Sequence, residues 1–119
     1  MPTYSVRQVF RFKMFCGQKK KYVYEERVTL WSGKSLDAVI AIAEREGKRY
    51  AKDQNGKFAG LSQGYWLFDE LILPEQGVEV FSLMRDSDLD TAEYLDVFFD
   101  TGNEHASDYK ATTPNRRRR

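Results

Sequence analysis

Apolar and polar residues alternate along two stretches near the start of the chain, residues 4–15 and 22–31. A repeat of two residues is typical of β-strands that bury one face. The loop between them, residues 17–21, contains a glycine and three consecutive lysines. Two alternating runs around a short polar loop predict an antiparallel hairpin.

The next stretch has apolar residues at spacings of three and four, which predicts a helix with one apolar stripe. The stripe consists of Leu36, Val39, Ile40, Ala43, Gly47, Tyr50 and Ala51. Ser35 stands where an N-cap is expected, and Asp37 lies in the first turn, where a carboxylate stabilises a helix. Residues 53–56 are polar or glycine and are expected to end this helix.

Residues 58–73 are rich in aromatic and aliphatic residues, and the stretches 65–68 and 78–84 are apolar in both phases of the two-residue repeat. This pattern predicts a second hairpin whose strands are central in the sheet and buried on both faces. Further on, Asp90 and Glu93 have the spacing of a capping box, which predicts a second helix. Gly102 is expected to end it.

The predicted order of elements is ββαββα. An α+β fold buries both helical stripes most simply when a four-stranded antiparallel sheet carries the two helices on one face. The 119 residues suffice for a single domain, which we assign to residues 1–103. Residues 104–119 show no periodicity and are interpreted as a flexible basic C-terminal tail.

The uncovered face of this sheet is the predicted interaction surface. Its residues are Arg7, Arg11, Lys13, Arg27 and Trp31. Three further apolar residues share their phase, namely Val9, Phe15 and Val23. Small monomers rarely leave so much apolar area in water, so we expect a second copy of the chain to cover this face in a homodimer.

Charge is distributed unevenly along the chain although the net charge is only +1. Residues 1–57 contain 13 Lys or Arg against 6 Asp or Glu, and residues 58–115 contain 2 against 12. The last four residues are all basic: Arg116, Arg117, Arg118 and Arg119. This separation predicts either a dipolar surface or two halves that face each other and partly cancel.

Few residues have the chemistry of a catalytic or metal site. The single cysteine, Cys16, lies beside a run of lysines, and the single histidine, His105, lies in the predicted tail. Neither has a sequence neighbour that would complete a nucleophile and base. We therefore expect no metal and no cofactor.

The segment 86–90 places three aspartates at the spacing of the start of a calcium-binding loop. The rest of that loop is missing, because Thr91 stands where a glycine is required and Val97 where a bidentate glutamate belongs. We interpret these carboxylates as the acidic N-terminus of the second helix.

Three carboxylates on predicted neighbouring strands, Glu25, Glu26 and Asp69, leave an enzyme as an alternative. Paired carboxylates perform acid–base chemistry when their surroundings separate their pKa values. The preferred interpretation is that they pair across strands with the arginines of the sheet.

A nucleic-acid-binding protein is the second alternative. The basic strands, the lysine run at residues 19–21 and the arginine tail supply positive charge, and exposed aromatic rings can stack on bases. The twelve carboxylates in the second half and a sequence pI of about 7.8 argue against a dedicated nucleic-acid binder.

The motif Tyr24-Glu25-Glu26, followed by Arg27 and a Ser/Gly-punctuated helix, resembles a small bacterial family of about a hundred residues. That family is mainly actinobacterial and is classified as a domain of unknown function. Residues 66–70 are similar to its second motif, and residues 77–82 are similar to its Gly-Thr-Glu-Val-Tyr-Ser pattern. The resemblance implies the architecture and a bacterial origin, and it implies no activity.

These observations favour a bacterial, non-enzymatic module that binds a protein partner through the exposed sheet face. The first residues lack the basic region and apolar stretch of a secretory signal, which predicts a cytoplasmic location. No apolar run approaches the length of a membrane span, so membrane insertion is not expected.

Overall fold

The computed structural model describes residues 1–13, 17, 19–99 and 105–106. Its elements are β1 (Thr3–Phe12), β2 (Tyr22–Ser32), α1 (Leu36–Asp53), β3 (Lys57–Leu67), β4 (Val78–Ser87), α2 (Thr91–Tyr94), which continues as a π-helix over Leu95–Phe99, and β5 (His105–Ala106). We call residues 91–99 the second helix. The α+β fold is confirmed, with four long antiparallel strands, two helices and the order ββαββα. No helix formed by the described residues has the length and apolar character needed to cross a bilayer.

The strand order of the sheet is β4-β2-β1-β3-β5, and every neighbouring pair is antiparallel. The predicted first hairpin is confirmed, since β1 pairs with β2 along its whole length. The predicted second hairpin is wrong: β3 pairs with β1 and β4 pairs with β2, on opposite sides of the central pair. An apolar run does not distinguish a buried strand from an edge strand with exposed apolar residues.

The first helix, α1, packs on one face of the sheet. Val39 and Ala43 of α1 form a buried cluster with Val6 and Trp31, and Ala51 joins a second buried cluster that contains Phe10. The predicted N-cap is confirmed, because Ser35 Oγ accepts a hydrogen bond from the Ala38 backbone N–H at 3.1 Å. The predicted apolar stripe of α1 therefore supplies the helix side of the core on this face.

The second helix packs on the other face, so the prediction that both helices share one face is wrong. Tyr94, Leu95 and Phe99 form a buried cluster with Val9, Tyr24 and Leu61. The predicted capping box is confirmed, since Asp90 accepts from the Glu93 backbone N–H at 2.9 Å and Glu93 accepts from the Asp90 backbone N–H at 3.1 Å.

The register between β1 and β2 explains this two-sided core. Phe10 lies opposite Glu25, and Val9 lies opposite Glu26. Because side chains alternate between faces, Val9 and Tyr24 must lie on the face that α1 does not cover. Their burial requires a second element, which the second helix supplies.

Part of the predicted tail belongs to the sheet. His105 and Ala106 form β5 and pair with Gly64 and Gln63 of β3. The predicted helix end at Gly102 and the four terminal arginines lie outside the described residues, as do Phe15 and Cys16.

Candidate interaction surfaces

The residues predicted to form one interaction surface are divided between the two faces of the sheet. Arg7 and Arg11 lie on the face of the second helix, whereas Arg27 and Trp31 lie on the face of α1. Trp31 is only 5% exposed. The predicted set is therefore wrong as a single surface, because the β1–β2 register places Arg7 and Arg11 on one face and Arg27 and Trp31 on the other.

Arg7 holds the end of the second helix against the sheet. Its Nη2 donates to the Phe98 carbonyl oxygen at 2.9 Å, and its guanidinium lies 4.4 Å from the centre of the Phe99 ring. Gln63 Nε2 donates to the Phe99 carbonyl oxygen at 2.8 Å. The last carbonyls of a helix have no partner within the helix, and a cation there is favourable. The role of Arg7 in this structure is therefore to stabilise the fold.

The other basic residues of the predicted surface also have intramolecular contacts. Arg11 Nη1 donates a hydrogen bond to Thr91 Oγ1 at 3.2 Å, and the Arg11 guanidinium stacks over the ring of Tyr22. Arg27 Nε donates to Glu79 Oε1 at 2.7 Å and lies 4.0 Å from the centre of the Tyr50 ring. Lys13 is exposed and lines a small cavity with Tyr22.

Glu25 of the Tyr-Glu-Glu motif is buried on the α1 face. Its two carboxylate oxygens accept hydrogen bonds from Tyr50 Oη, at 2.6 Å, and from Ser82 Oγ. Burial, together with the hydrogen bond to Glu25, raises the pKa of the Tyr50 hydroxyl well above its ordinary value of 10.0. Tyr50 therefore stays protonated and keeps this bond through the neutral pH range.

Glu26 is buried on the opposite face, under the second helix. It accepts from Arg7 Nη2 at 2.8 Å, from Arg85 Nη1 at 3.0 Å and from Tyr94 Oη at 3.0 Å. Tyr24 stacks on Tyr94 with ring centres 3.9 Å apart. Burial and the adjacent Glu26 carboxylate raise the pKa of Tyr94. The motif therefore links both helices to the sheet.

The three carboxylates of the enzyme alternative are not brought together. Glu25 and Glu26 lie on opposite faces of β2. Asp69 follows the last residue of β3, and this end of β3 lies at the same end of the sheet as Ser32 of β2. Glu26 is six residues before Ser32 along β2. At about 3.3 Å per residue, Glu26 therefore lies roughly 20 Å from the end of the sheet that Asp69 follows.

The aspartates of segment 86–90 anchor the loop before β2 and the second helix. Asp86 accepts from the Lys19 backbone N–H at 2.8 Å, and Asp88 accepts from the Lys21 backbone N–H at 2.9 Å. The bond from Lys19 lowers the pKa of the Asp86 carboxyl. Among the residues that the structure describes, no three potential metal ligands form a group.

The edge strand β4 exposes large apolar side chains on both of its faces. Their exposed fractions are 53% for Val80, 51% for Phe81, 39% for Leu83 and 43% for Met84. We call these four residues the β4 edge surface. Phe81 and Leu83 share the face of the second helix, where Phe98 is also exposed, and Met84 lies on the α1 face opposite Glu25. Sequence reasoning identified these residues as apolar but placed them in the core.

A second exposed apolar group lies at the end of β3 and just after it, at the other end of the sheet from the β1–β2 loop. Trp66 and Phe68 contact each other with ring centres 4.9 Å apart, and both are exposed together with Ile72. Asp69 and Glu70 lie between them and give this segment a negative charge.

A cavity of about 510 Å³ lies between the end of α1 and the start of β3. Lys48, Lys52 and Lys57 line it, together with Glu44 and Phe58. A smaller cavity of about 310 Å³ adjoins it and shares Lys57. This end of the molecule is therefore basic.

Comparisons of the chain with protein-family models, with curated proteins and with solved structures find no match.

Proposed function

We propose that this protein is a non-enzymatic binding module whose site is the β4 edge surface, and that its partner is a protein that adds a β-strand to the sheet. The observation that carries the proposal is the exposure of Val80, Phe81, Leu83 and Met84 on a ten-residue edge strand. Within the described residues, β4 pairs on one side only, with β2.

An edge strand presents unpaired backbone N–H and C=O groups to any extended segment that approaches it. Proteins usually protect such edges with charges, prolines or short strands. Here the centre of β4 is apolar, and charges stand only at Glu79 and toward its end, at Arg85 and Asp86. When a partner adds a strand, its main-chain hydrogen bonds give affinity and its alternate side chains give specificity. β4 offers both an unpaired backbone edge and exposed apolar side chains.

The Tyr-Glu-Glu motif supports a binding function over an enzymatic one. Glu25 and Glu26 are each occupied by hydrogen bonds within the fold and lie on opposite faces. The resemblance to the actinobacterial family remains part of the proposal, as does the cytoplasmic location, and neither assigns a reaction.

Selection of peptides from a displayed random library on the immobilised protein tests the proposal. We expect enrichment of extended peptides with alternating apolar residues, because such a strand complements the alternating faces of β4. The double variant Phe81→Lys, Leu83→Lys is expected to lose binding of the selected peptides at least tenfold, roughly the effect of removing two apolar anchors.

The matched control is the double variant Phe68→Lys, Ile72→Lys, which makes the same chemical change at two exposed apolar residues after β3. Its peptide binding is expected to equal that of the unmodified protein. Loss of binding in this control, with binding retained in the β4 variant, would refute the assignment of the site to β4. Circular dichroism of both variants verifies that the sheet is intact.

A further inference from the structure

The second helix covers only part of its face of the sheet. Its side contacts with β1 run from Thr91, bonded to Arg11, to Phe98, bonded to Arg7. Arg11 and Arg7 are four residues apart, which is about 13 Å along a strand. The four long strands have ten or eleven residues, or about 33 Å. The helix therefore spans less than half of the strand length.

Apolar residues of β2 and β4 lie together on the part of this face that the second helix leaves open. Val28 lies directly opposite Phe81, and Leu83 is the next residue of β4 on the same face. Val28 and Leu30 are half-buried, whereas Phe81 and Leu83 are exposed. We call these four residues the β2–β4 platform.

The other face of the same stretch of sheet is already covered by a helix. Thr29 and Trp31 alternate with the platform residues of β2, and both are buried. Trp31 belongs to the cluster that Val39 and Ala43 of α1 complete. An apolar sheet face is stabilised when another layer covers it, and at this level only one face has such a layer among the described residues.

The spacing of the strands leaves room for one more helix beside the second helix. The second helix is centred on β1, because it packs on Val9 and is held by Arg7 and Arg11. β4 lies two strands from β1, at about 9 to 10 Å. Neighbouring helices pack with their axes about 8 to 10 Å apart. A helix over β2 and β4 therefore reaches the platform and the second helix together, where the side chain of Phe98 is 38% exposed.

The elements around the platform are acidic. Residues 58–99 contain nine Asp or Glu and one basic residue, Arg85, which is paired with Glu26. The loop before β4 ends at the platform, where the Gly77 backbone N–H donates to the Leu30 carbonyl oxygen at 2.8 Å. Three of the carboxylates belong to this loop: Asp69, Glu70 and Glu75. Charge complementarity therefore favours a basic occupant.

We propose that the β2–β4 platform binds an amphipathic helix of the protein partner. The apolar side of this helix lies on the platform and against Phe98, and its lysines or arginines face the acidic loop. The inference rests on the proposed function and deepens it, because Phe81 and Leu83 belong both to the platform and to the β4 edge surface. The partner then supplies a strand to the edge of β4 and a helix to the adjoining face.

Isothermal titration of the full chain with three synthetic peptides tests the proposal. Each has about eighteen residues, roughly 27 Å as a helix. The first carries leucines on one helical side and lysines on the other, the second has glutamates in place of the lysines, and the third has the composition of the first with its leucines scattered. We expect the first to bind at least about tenfold more tightly than the others, whereas equal binding of all three, or binding of none at millimolar concentration, overturns the proposal.

The variants Leu30→Gln and Phe98→Gln test the location of the site. Each removes an apolar contact without changing the net charge, so we expect the lysine peptide to bind at least about fivefold more weakly. The matched control is Ile42→Gln, which makes the same change at a residue of α1 that is 44% exposed, and its binding is expected to be unchanged. Equal losses in the control and the two variants refute the site, and circular dichroism verifies that each variant is folded.

Strand peptides selected on β4 separate this inference from the proposed function. Leu30→Gln is expected to leave their binding unchanged, because Leu30 lies on β2. Failure to select strand peptides contradicts the proposed function, whereas failure of the lysine peptide alone contradicts the platform site. Joining the two peptides by a flexible linker is expected to raise the affinity at least about tenfold above either one, and no gain refutes a single partner. If Leu30→Gln abolishes self-association of the protein, a second copy covers the platform and the partner helix is refuted.

Discussion

Single charged residues connect the layers of this small protein. Glu26 lies between two arginines, Arg7 and Arg85, and a tyrosine hydroxyl, and this cluster joins β1, β2, β4 and the second helix. Breaking a buried ion pair by removing one partner is costly, because the remaining charges lose their compensation. The cluster is therefore expected to matter more for stability than any exposed ion pair.

Substitution Glu26→Gln tests this expectation. The amide keeps the size of the side chain but leaves two arginines without a counter-charge. The side chains of Arg7 and Arg85 are 22% and 33% exposed, so we expect a loss of about 2 to 3 kcal/mol, below the roughly 3 to 5 kcal/mol of fully buried pairs. Urea unfolding measures the change.

The matched control is Glu79→Gln, which removes the partner of Arg27 from a pair whose carboxylate side chain is 42% exposed. Exposed pairs contribute about 0 to 1 kcal/mol, so this variant is expected to unfold close to the unmodified protein. Equal effects of the two substitutions would show that burial of Glu26 has no special energetic role.

At the scale of elements, local sequence signals were sufficient to predict where the helices start, but they were insufficient to predict where each strand lies in the sheet. Ser35 and Asp90 cap their helices as predicted, because capping depends on residues within one turn. The placement of β3 and β4 depends on pairing with distant strands, and their apolar character in both phases gave no information about it. The helix faces were missed for a similar reason, since they follow from the β1–β2 register.

The candidate sites were also difficult to predict, because they depend on contacts between residues that are distant in the sequence. The motif residues Glu25 and Glu26 were identified as notable, but their separation onto opposite faces follows only from the pleat and the packing of Tyr50 and Tyr94. The cavity combines residues of α1 and β3 that are up to sixteen positions apart, Glu44 to Gly60. No local pattern in the sequence indicates that they converge.

The turn that leads into β4 depends on a glycine. Gly77 has φ +81°, and a Cβ there would lie 2.8 Å from the ring of Trp31, which is buried and cannot move aside. Gly60 has a comparable φ of +96°, and no atom lies within 4 Å of the place that a Cβ would take, so Gly60→Ala isolates the backbone cost of about 1 to 2 kcal/mol. We expect Gly77→Ala to cost at least about 1 kcal/mol more, because it also overpacks the core.

Thermal or urea unfolding of the two alanine variants measures this difference. If both variants lose the same stability, the Trp31 contact with Gly77 does not fix the position of the turn. A larger loss for Gly60→Ala would contradict the prediction directly.

At the scale of the whole molecule, the basic and acidic parts of the chain neutralise each other at one place and lie at opposite ends of the sheet at another. Asp86 and Asp88 lie against the loop that contains the lysine run. Lys48, Lys52 and Lys57 gather at the end of α1, while the acidic segment 69–75 lies toward the other end of the sheet, where the N-terminal amine contacts Glu70 at 3.5 Å. The two predictions from the charge pattern, a dipolar surface and two halves that face each other, thus each describe part of the molecule.

The free protein is expected to form a homodimer through β4, in place of the sheet face that sequence reasoning proposed. In an antiparallel pairing centred on Ser82, Phe81 lies beside Leu83 of the second copy. The same two-fold axis brings the Glu79 end of one strand toward the Arg85 end of the other. Light scattering across a concentration series is expected to show the mass rising from 13.9 kDa toward twice that value.

Salt and substitution distinguish this dimer from other forms of association. Raising the ionic strength well above about 0.1 M is expected to weaken it, because Glu79 and Arg85 at the strand ends keep access to solvent and become partly screened. The variant Phe81→Lys, Leu83→Lys is expected to stay monomeric, since four lysines would then meet at the centre of the pairing. A strand-forming peptide that binds β4 must compete with the second copy, so its addition is expected to return the mass toward the monomer. If the unmodified protein stays monomeric at high micromolar concentration and low salt, the dimer is refuted, and β4 remains open to a different partner.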